Sequence, residues 1–186
     1  EGSANYLPSS GAATFTIGKA ATTTAVVCQA GPFTYNGTAF TPCAASVTGP
    51  GGLSEMAAVS YSSNTNAGTA SASASFAGGA NYLASSGTAT FTIDKAATTT
   101  VITCDPGPFS VTGSPVEPCT ARVTGPAGLN DELAVSYSNN VNAGTATASA
   151  SYAGGADYLP SSDSEVFVIG EAVDSTVFLH LPYMSK

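Results

Sequence analysis

Apolar residues along this chain fall at alternate positions in short runs separated by glycine-rich breaks. The segments TTTAVVC (22–28), PFTY (32–35), AASVTG (44–49), AAVSYSS (57–63), TASASASFA (69–77) and TATFTI (88–93) are β-branched or alternate apolar with small polar residues. Successive side chains of a strand point to opposite faces, so a period of two predicts half-buried strands, and no helical period competes with it. Between the runs lie Asn36-Gly37, Gly49-Pro50-Gly51-Gly52, Asn66-Ala67-Gly68 and Gly78-Gly79. These are turn sequences, because glycine takes positive φ with no Cβ to clash. Six or seven short antiparallel strands closed by such turns predict an all-β fold, a β-sandwich with two inward faces. Val26, Phe33, Val47, Val59, Tyr61, Phe76, Phe91 and Ile93 are the expected inward set.

The pattern runs twice. Cys28 and Cys104, Cys43 and Cys119, and Tyr6, Tyr82 and Tyr158 recur at a spacing of 76 residues, and about 45 of the 76 positions are identical between 19–94 and 95–170. Such likeness means one fold used in tandem, giving repeat 1 (19–94) and repeat 2 (95–170). Residues 1–18 match only the end of a repeat, and the apolar tail 171–186 matches neither. Three repeat ends therefore accompany two beginnings, and residues 1–18 are expected to be the terminal strand of a preceding repeat or a donor strand.

Composition narrows the partners. Only 9% of residues are charged while 43% are hydrophobic, against about 25% charged in an average soluble domain. The surface must then be carried by Ser, Thr, Asn, Gly and Ala, and the apolar content suffices for a packed core. Twelve acids oppose Lys19, Lys95, Arg122 and Lys186, for a net charge of −8. Without a basic stripe to neutralise phosphates, nucleic acid is not an expected partner. No apolar stretch approaches the roughly 18 residues that suggest a membrane span, and residue 1 is not followed by a signal-peptide core, as in a mature or excised piece.

Four cysteines allow three pairings, and repeat symmetry favours Cys28 with Cys43 and Cys104 with Cys119. A hairpin closed by a loop over Thr34–Gly37, with Phe33 facing Thr38, would bring Cys28 opposite Cys43. A crosslink closing about 15 residues is worth roughly 3 kcal/mol in the chain-entropy account, a sizeable share of a small sandwich's stability. The Cys-x14-Cys spacing with no nearby histidine lacks the close ligand pairs of zinc sites, so no metal is expected. Disulfides persist in oxidising compartments, which places the protein outside the cell, at its surface or in a periplasm.

The order TTT-x3-C-x2-GPF, PC, VTGP-x-GL, VSYS, NAGTA-x-AS, AGGA-x-YL-x-SS and F-x-I resembles, over residues 1–170, the bacterial tandem Ig-like repeats called MBG or YDG-type domains. The resemblance implies tandem Ig-like antiparallel β-sandwiches in a secreted or surface protein. It implies the role of a stalk, adhesin or fibre component and brings no catalytic residue to transfer.

Residue chemistry points the same way. The one histidine, His180, lies in the tail and not on the scaffold that a Ser-His-Asp site requires. Asn130, Asp131 and Glu132, or Glu171 and Asp174, could offer oxygens to calcium, but repeat 1 carries Ser54-Glu55-Met56 at the first position and no calcium-loop pattern is present. They read as solvated acids. Lys19 and Lys95 open the repeats as plain lysines rather than isopeptide donors, and Asn36-Gly37-Thr38 reads as a turn rather than a glycan site. No enzyme activity and no cofactor are expected.

The unmatched ends carry the expected contacts. Thr14–Ile17 or Val177–Tyr183 could add to a neighbour's sheet, since an open edge pairs readily with an extended segment. Phe15, Ile17, Val177, Leu179, Leu181 and Tyr183 are the subunit-contact residues of such a self-associating fibre. The alternative is an adhesin or carbohydrate-binding stalk with a surface glycan or protein as ligand. Tyr6, Tyr82 and Tyr158 would be its aromatic platform, although their recurrence in every unit favours packing over ligand binding.

Overall fold

The computed structural model describes residues 4–171. Repeat 1 contains β1 (Thr23–Cys28), β2 (Phe33–Thr34), β3 (Cys43–Gly49), β4 (Leu53–Ala57), β5 (Ser60–Ser62), β6 (Gly68–Phe76) and β7 (Ser85–Asp94). Repeat 2 contains β8 (Thr99–Cys104), β9 (Phe109–Ser110), β10 (Cys119–Thr124), β11 (Asn130–Leu133), β12 (Ser136–Ser138), β13 (Gly144–Tyr152) and β14 (Ser161–Gly170). Each repeat has a three-stranded sheet, β1-β3-β4 or β8-β10-β11, and a four-stranded sheet, β2-β7-β6-β5 or β9-β14-β13-β12. The chain is all-β, with sheets in an arrangement consistent with a β-sandwich. By backbone contacts the described residues fall into two compact units. One holds the chain up to Ala30 with Thr41–Ser62 and Ala70–Phe91, and the other holds Gly31–Phe40, Ser63–Thr69 and the chain from Thr92.

The period of two sets which side chains go inward. In β6 the alanines alternate with serines, and Ala70, Ala72 and Ala74 are buried while the serines face out. β13 repeats this with Ala146, Ala148 and Ala150. In repeat 2 these alanines form one core with Phe167 and Ile169 of β14 and with Ile102, Cys119 and Ala121 of the smaller sheet. A methyl-sized row on one strand leaves room for the large residues of its neighbour, which is how a small core reaches close packing. Of the expected inward set, Val47, Phe91 and Ile93 are buried, while Val26, Phe33, Val59, Tyr61 and Phe76 are half-buried.

The expected hairpin through Thr34–Gly37 does not form. β1 pairs directly with β3, placing Cys28 opposite Cys43, and β8 with β10 places Cys104 opposite Cys119. The chain between them crosses to the other sheet, where Phe33 lies beside Ile93 and Thr34 beside Asp94 in a parallel pairing. Phe33 stands opposite Ile93 rather than Thr38, and its ring lies 5.5 Å from that of Phe40. Burial of an aromatic ring on the larger sheet outweighs a local hairpin that would leave it beside a threonine.

β3 and β4 are joined by a tight corner, Pro50–Gly52, in which Gly51 has φ 70° and Gly52 φ 81°. Repeat 2 puts Ala127 at the first of these positions with φ 56°. An L-residue in the left-handed region costs roughly 1–2 kcal/mol through the clash of its Cβ with the carbonyl.

Two stability changes follow. Ile169→Ala, at a side chain only 1% exposed, is expected to lower unfolding free energy by about 2–5 kcal/mol, read from urea denaturation. Ala127→Gly is expected to raise it by about 1 kcal/mol, since glycine relieves the left-handed strain at some cost in unfolded-chain entropy.

Candidate strand-addition site

The last strand of each repeat lies inside the larger sheet, between the short parallel strand and the long antiparallel one. In repeat 2, Phe167 stands opposite Ala146, and Ile169 stands opposite Gly144 on one side and Phe109 on the other. Phe91 and Phe167 are each 7% exposed, and Ile93 and Ile169 each 1%. Ser85 anchors the other end of β7 through hydroxyl bonds to Thr22 (2.8 Å) and Thr24 (2.7 Å), and Ser161 does the same with Thr98 (2.8 Å) and Thr100 (2.7 Å). These bonds satisfy the buried hydroxyls of Thr24 and Thr100. At Gly87 the strand runs so close to the Thr24 carbonyl oxygen that a Cβ would collide with it. Repeat 2 has Asp163 at that position, and its carboxylate accepts the Ile102 N–H at 2.8 Å.

Residues 9–18, SSGAATFTIG, reproduce eight of the ten residues of β7, SSGTATFTID. None of them lies in a strand. Phe15 and Ile17 are 85% and 84% exposed, although their counterparts in β7 and β14 are core residues. A Cβ added at Gly11, the counterpart of Gly87, would meet open space. Phe15 and Ile17, two of the six expected contact residues, therefore stand on one exposed segment. Val177, Leu179, Leu181 and Tyr183 lie outside the described residues, as do Asp174 and His180.

The cysteine pairs sit where the two sheets are tied together. Cys28 is bonded to Cys43 and Cys104 to Cys119. Beside each pair a tyrosine from the opposite sheet closes the gap. The Tyr61 hydroxyl accepts the Cys43 N–H and donates to the Cys43 carbonyl, both at 2.9 Å, and Tyr137 makes the same two bonds to Cys119. The tyrosine rings stand edge-on to Phe91 and Phe167, with centroids 6.3 and 6.2 Å apart. The period of two marks these tyrosines as inward but carries no sign of the backbone they would reach.

The other candidate residues have structural partners. The hydroxyls of Tyr82 and Tyr158 donate to the carbonyls of Pro50 and Pro126 at 2.8 Å, pinning the glycine corners. Within the second compact unit Tyr158 also meets Tyr35 edge-on at 5.3 Å, and the Asp157 carboxylate accepts the Ala67 N–H at 2.8 Å. Loss of solvent around the half-buried Tyr158, and then its interactions with Tyr35, raise its pKa above the usual tyrosine value. Lys95 donates to the Gly155 carbonyl at 2.7 Å. Asn130 and Glu132 are engaged by the Arg122 guanidinium at 2.9 and 3.0 Å. The Asn36 side chain accepts from the N–H and hydroxyl of Thr38, closing a local turn.

No family model, curated protein or solved structure matches this chain. Two disulfides are compatible with an extracellular protein, and among the described residues no helix is long and apolar enough to cross a membrane.

Tyr137→Phe leaves the ring in place and removes both bonds to Cys119. A loss of about 1–3 kcal/mol in unfolding free energy is expected, measured by thermal denaturation with the disulfides intact. An unchanged midpoint would mean that the tyrosine ties nothing.

Proposed function

We propose that this chain is a structural segment of an extracellular bacterial fibre or cell-surface stalk. In this reading its repeats are tandem Ig-like sandwiches, and it joins its neighbour by β-strand addition through residues 9–18. The observation that carries the reading is the contrast between Phe15 and Ile17, exposed on an unpaired segment, and the same two residues buried in β7 and β14. Covering each is worth about 1.5–3 kcal/mol, before the new backbone hydrogen bonds are counted.

The rest of the molecule suits a load-bearing role. Its surface is poor in charged residues, each repeat is crosslinked across a separation of 15 residues, and the corners are pinned by tyrosine hydroxyls. The recurring tyrosines Tyr82 and Tyr158 are used in packing, which favours a structural role over a glycan platform. Among the described residues both repeats already hold their last strand, so on an intact second copy residues 9–18 would add at a sheet edge rather than fill that slot.

Immunoelectron microscopy of cells that make the protein is the direct test. Label along extended surface structures is expected, and the double variant Phe15→Asp/Ile17→Asp should lose it, because a charge cannot enter an alanine-lined core. Label confined to the cell interior, or equal decoration by the variant, would sink the proposal.

A further inference from the structure

The geometry points to a site of self-modification in repeat 1: the Gly37 nitrogen attacks the Asn36 side chain, which loses its amide and becomes a carboxylate. Repeat 2 has no such site.

Of the nine asparagines only Asn36 is followed by glycine, and both residues are exposed. One turn gathers what the reaction needs. The Asn36 Oδ1 accepts from the Thr38 N–H at 2.9 Å and from the Thr38 hydroxyl at 2.7 Å. These bonds fold the side chain back over the Gly37 peptide and set two donors on the oxygen that must take up negative charge. The Gly37 N–H, the attacking group, has no hydrogen-bond partner among the described residues, and neither has the Asn36 Nδ2 that must leave. Gly37 carries no side chain to shield its nitrogen. Asn64 and Asn140 are placed otherwise, since the Nδ2 of each donates to a carbonyl, that of Phe40 at 2.8 Å and that of Val116 at 3.1 Å.

The turn is held in this shape from both sides. The Tyr35 N–H donates to the Asp94 carbonyl at 2.9 Å, and the Phe40 N–H donates to the Asn64 carbonyl at 2.8 Å. Gly37 has φ 80°, and within the second compact unit a Cβ on it would come 2.6 Å from that of Ala127. Repeat 2 keeps the glycine, as Gly113 with φ 79°, but replaces the asparagine with Thr112, which has no amide to lose. The turn therefore forms without asparagine, and the modification is open to repeat 1 alone.

Hydroxide or water takes the Gly37 amide proton, and the freed nitrogen bonds to the Asn36 Cγ. The electron pair of the carbonyl moves onto Oδ1 and returns as the Cγ–Nδ2 bond breaks. Nδ2 recovers a proton from the medium and leaves as ammonia. The five-membered succinimide that remains takes up one water. Opening at Cγ gives aspartate, and opening at the main-chain carbonyl gives isoaspartate, with the chain routed through Cβ and Cγ. An amide and a water become a carboxylate and an ammonium ion, with no change of oxidation state. The product adds one negative charge to a chain of net charge −8.

The test incubates the full chain in mildly alkaline buffer and follows its peptides by mass. The peptide holding Asn36 is expected to gain about 1 Da, ahead of every other asparagine and at a rate that rises in proportion to hydroxide. Thr38→Val keeps the side-chain shape and removes the hydroxyl donor. It should slow the gain about 2–10-fold in the folded chain, the effect of one hydrogen bond. In guanidinium chloride, with the turn unfolded, the variant and the parent should react at the same rate. Asn36→Thr, the residue of repeat 2, should abolish the gain. An Asn36 that reacts no faster than Asn66 or Asn142, or a Thr38→Val chain that matches the parent while folded, would overturn the inference.

Discussion

Burial of the seventh strand is the interaction on which each repeat depends. β7 and β14 lie between two other strands of the larger sheet, and each delivers a phenylalanine and an isoleucine into the core beside the alanine row of the neighbouring long strand. Remove that strand and the alanine row of β6 or β13 loses the large side chains beside it, while the short parallel strand loses the strand it pairs with. The small residues opposite are not a weak core. They are the complement of two large side chains, and the volumes match only when the last strand is present.

Around that core the protein closes its sheets with few charges. One ion pair, Arg122 with Glu132, occurs on the surface of repeat 2, where such a pair contributes little. The work falls to a disulfide at one end of each smaller sheet and to a tyrosine hydroxyl that reaches across to the same cysteine's backbone. Covalent and buried polar ties of this kind do not weaken with salt as surface ion pairs do.

Residues 9–18 bring the same chemistry to a place where it has no object. Because the slot appears twice in the same chain, what both copies share can be read directly: a serine for the threonine pair, and Phe and Ile for the alanine row. The segment carries each of them.

The repeat period, the strand runs, the glycine corners and the cysteine partners were all legible in the chain, because local alternation and internal symmetry constrain them without reference to distant residues. The exposed pair Phe15 and Ile17 was legible too, since their likeness to Phe91 and Ile93 is a matter of alignment. What the tertiary structure decided is where short segments go when two destinations satisfy local rules. Phe33 could close a hairpin or cross to the other sheet, and only the proximity of Ile93 and Phe40 makes the crossing favourable. Ala146, Ala148 and Ala150 read as neutral small residues until Phe167 and Ile169 lie in one core with them. The bonds of Tyr61 and Tyr137 to Cys43 and Cys119, and the closeness of Gly87 to Thr24, join residues far apart in sequence. Alternation tells which way a side chain points, but the atom it meets is set by how two sheets pack.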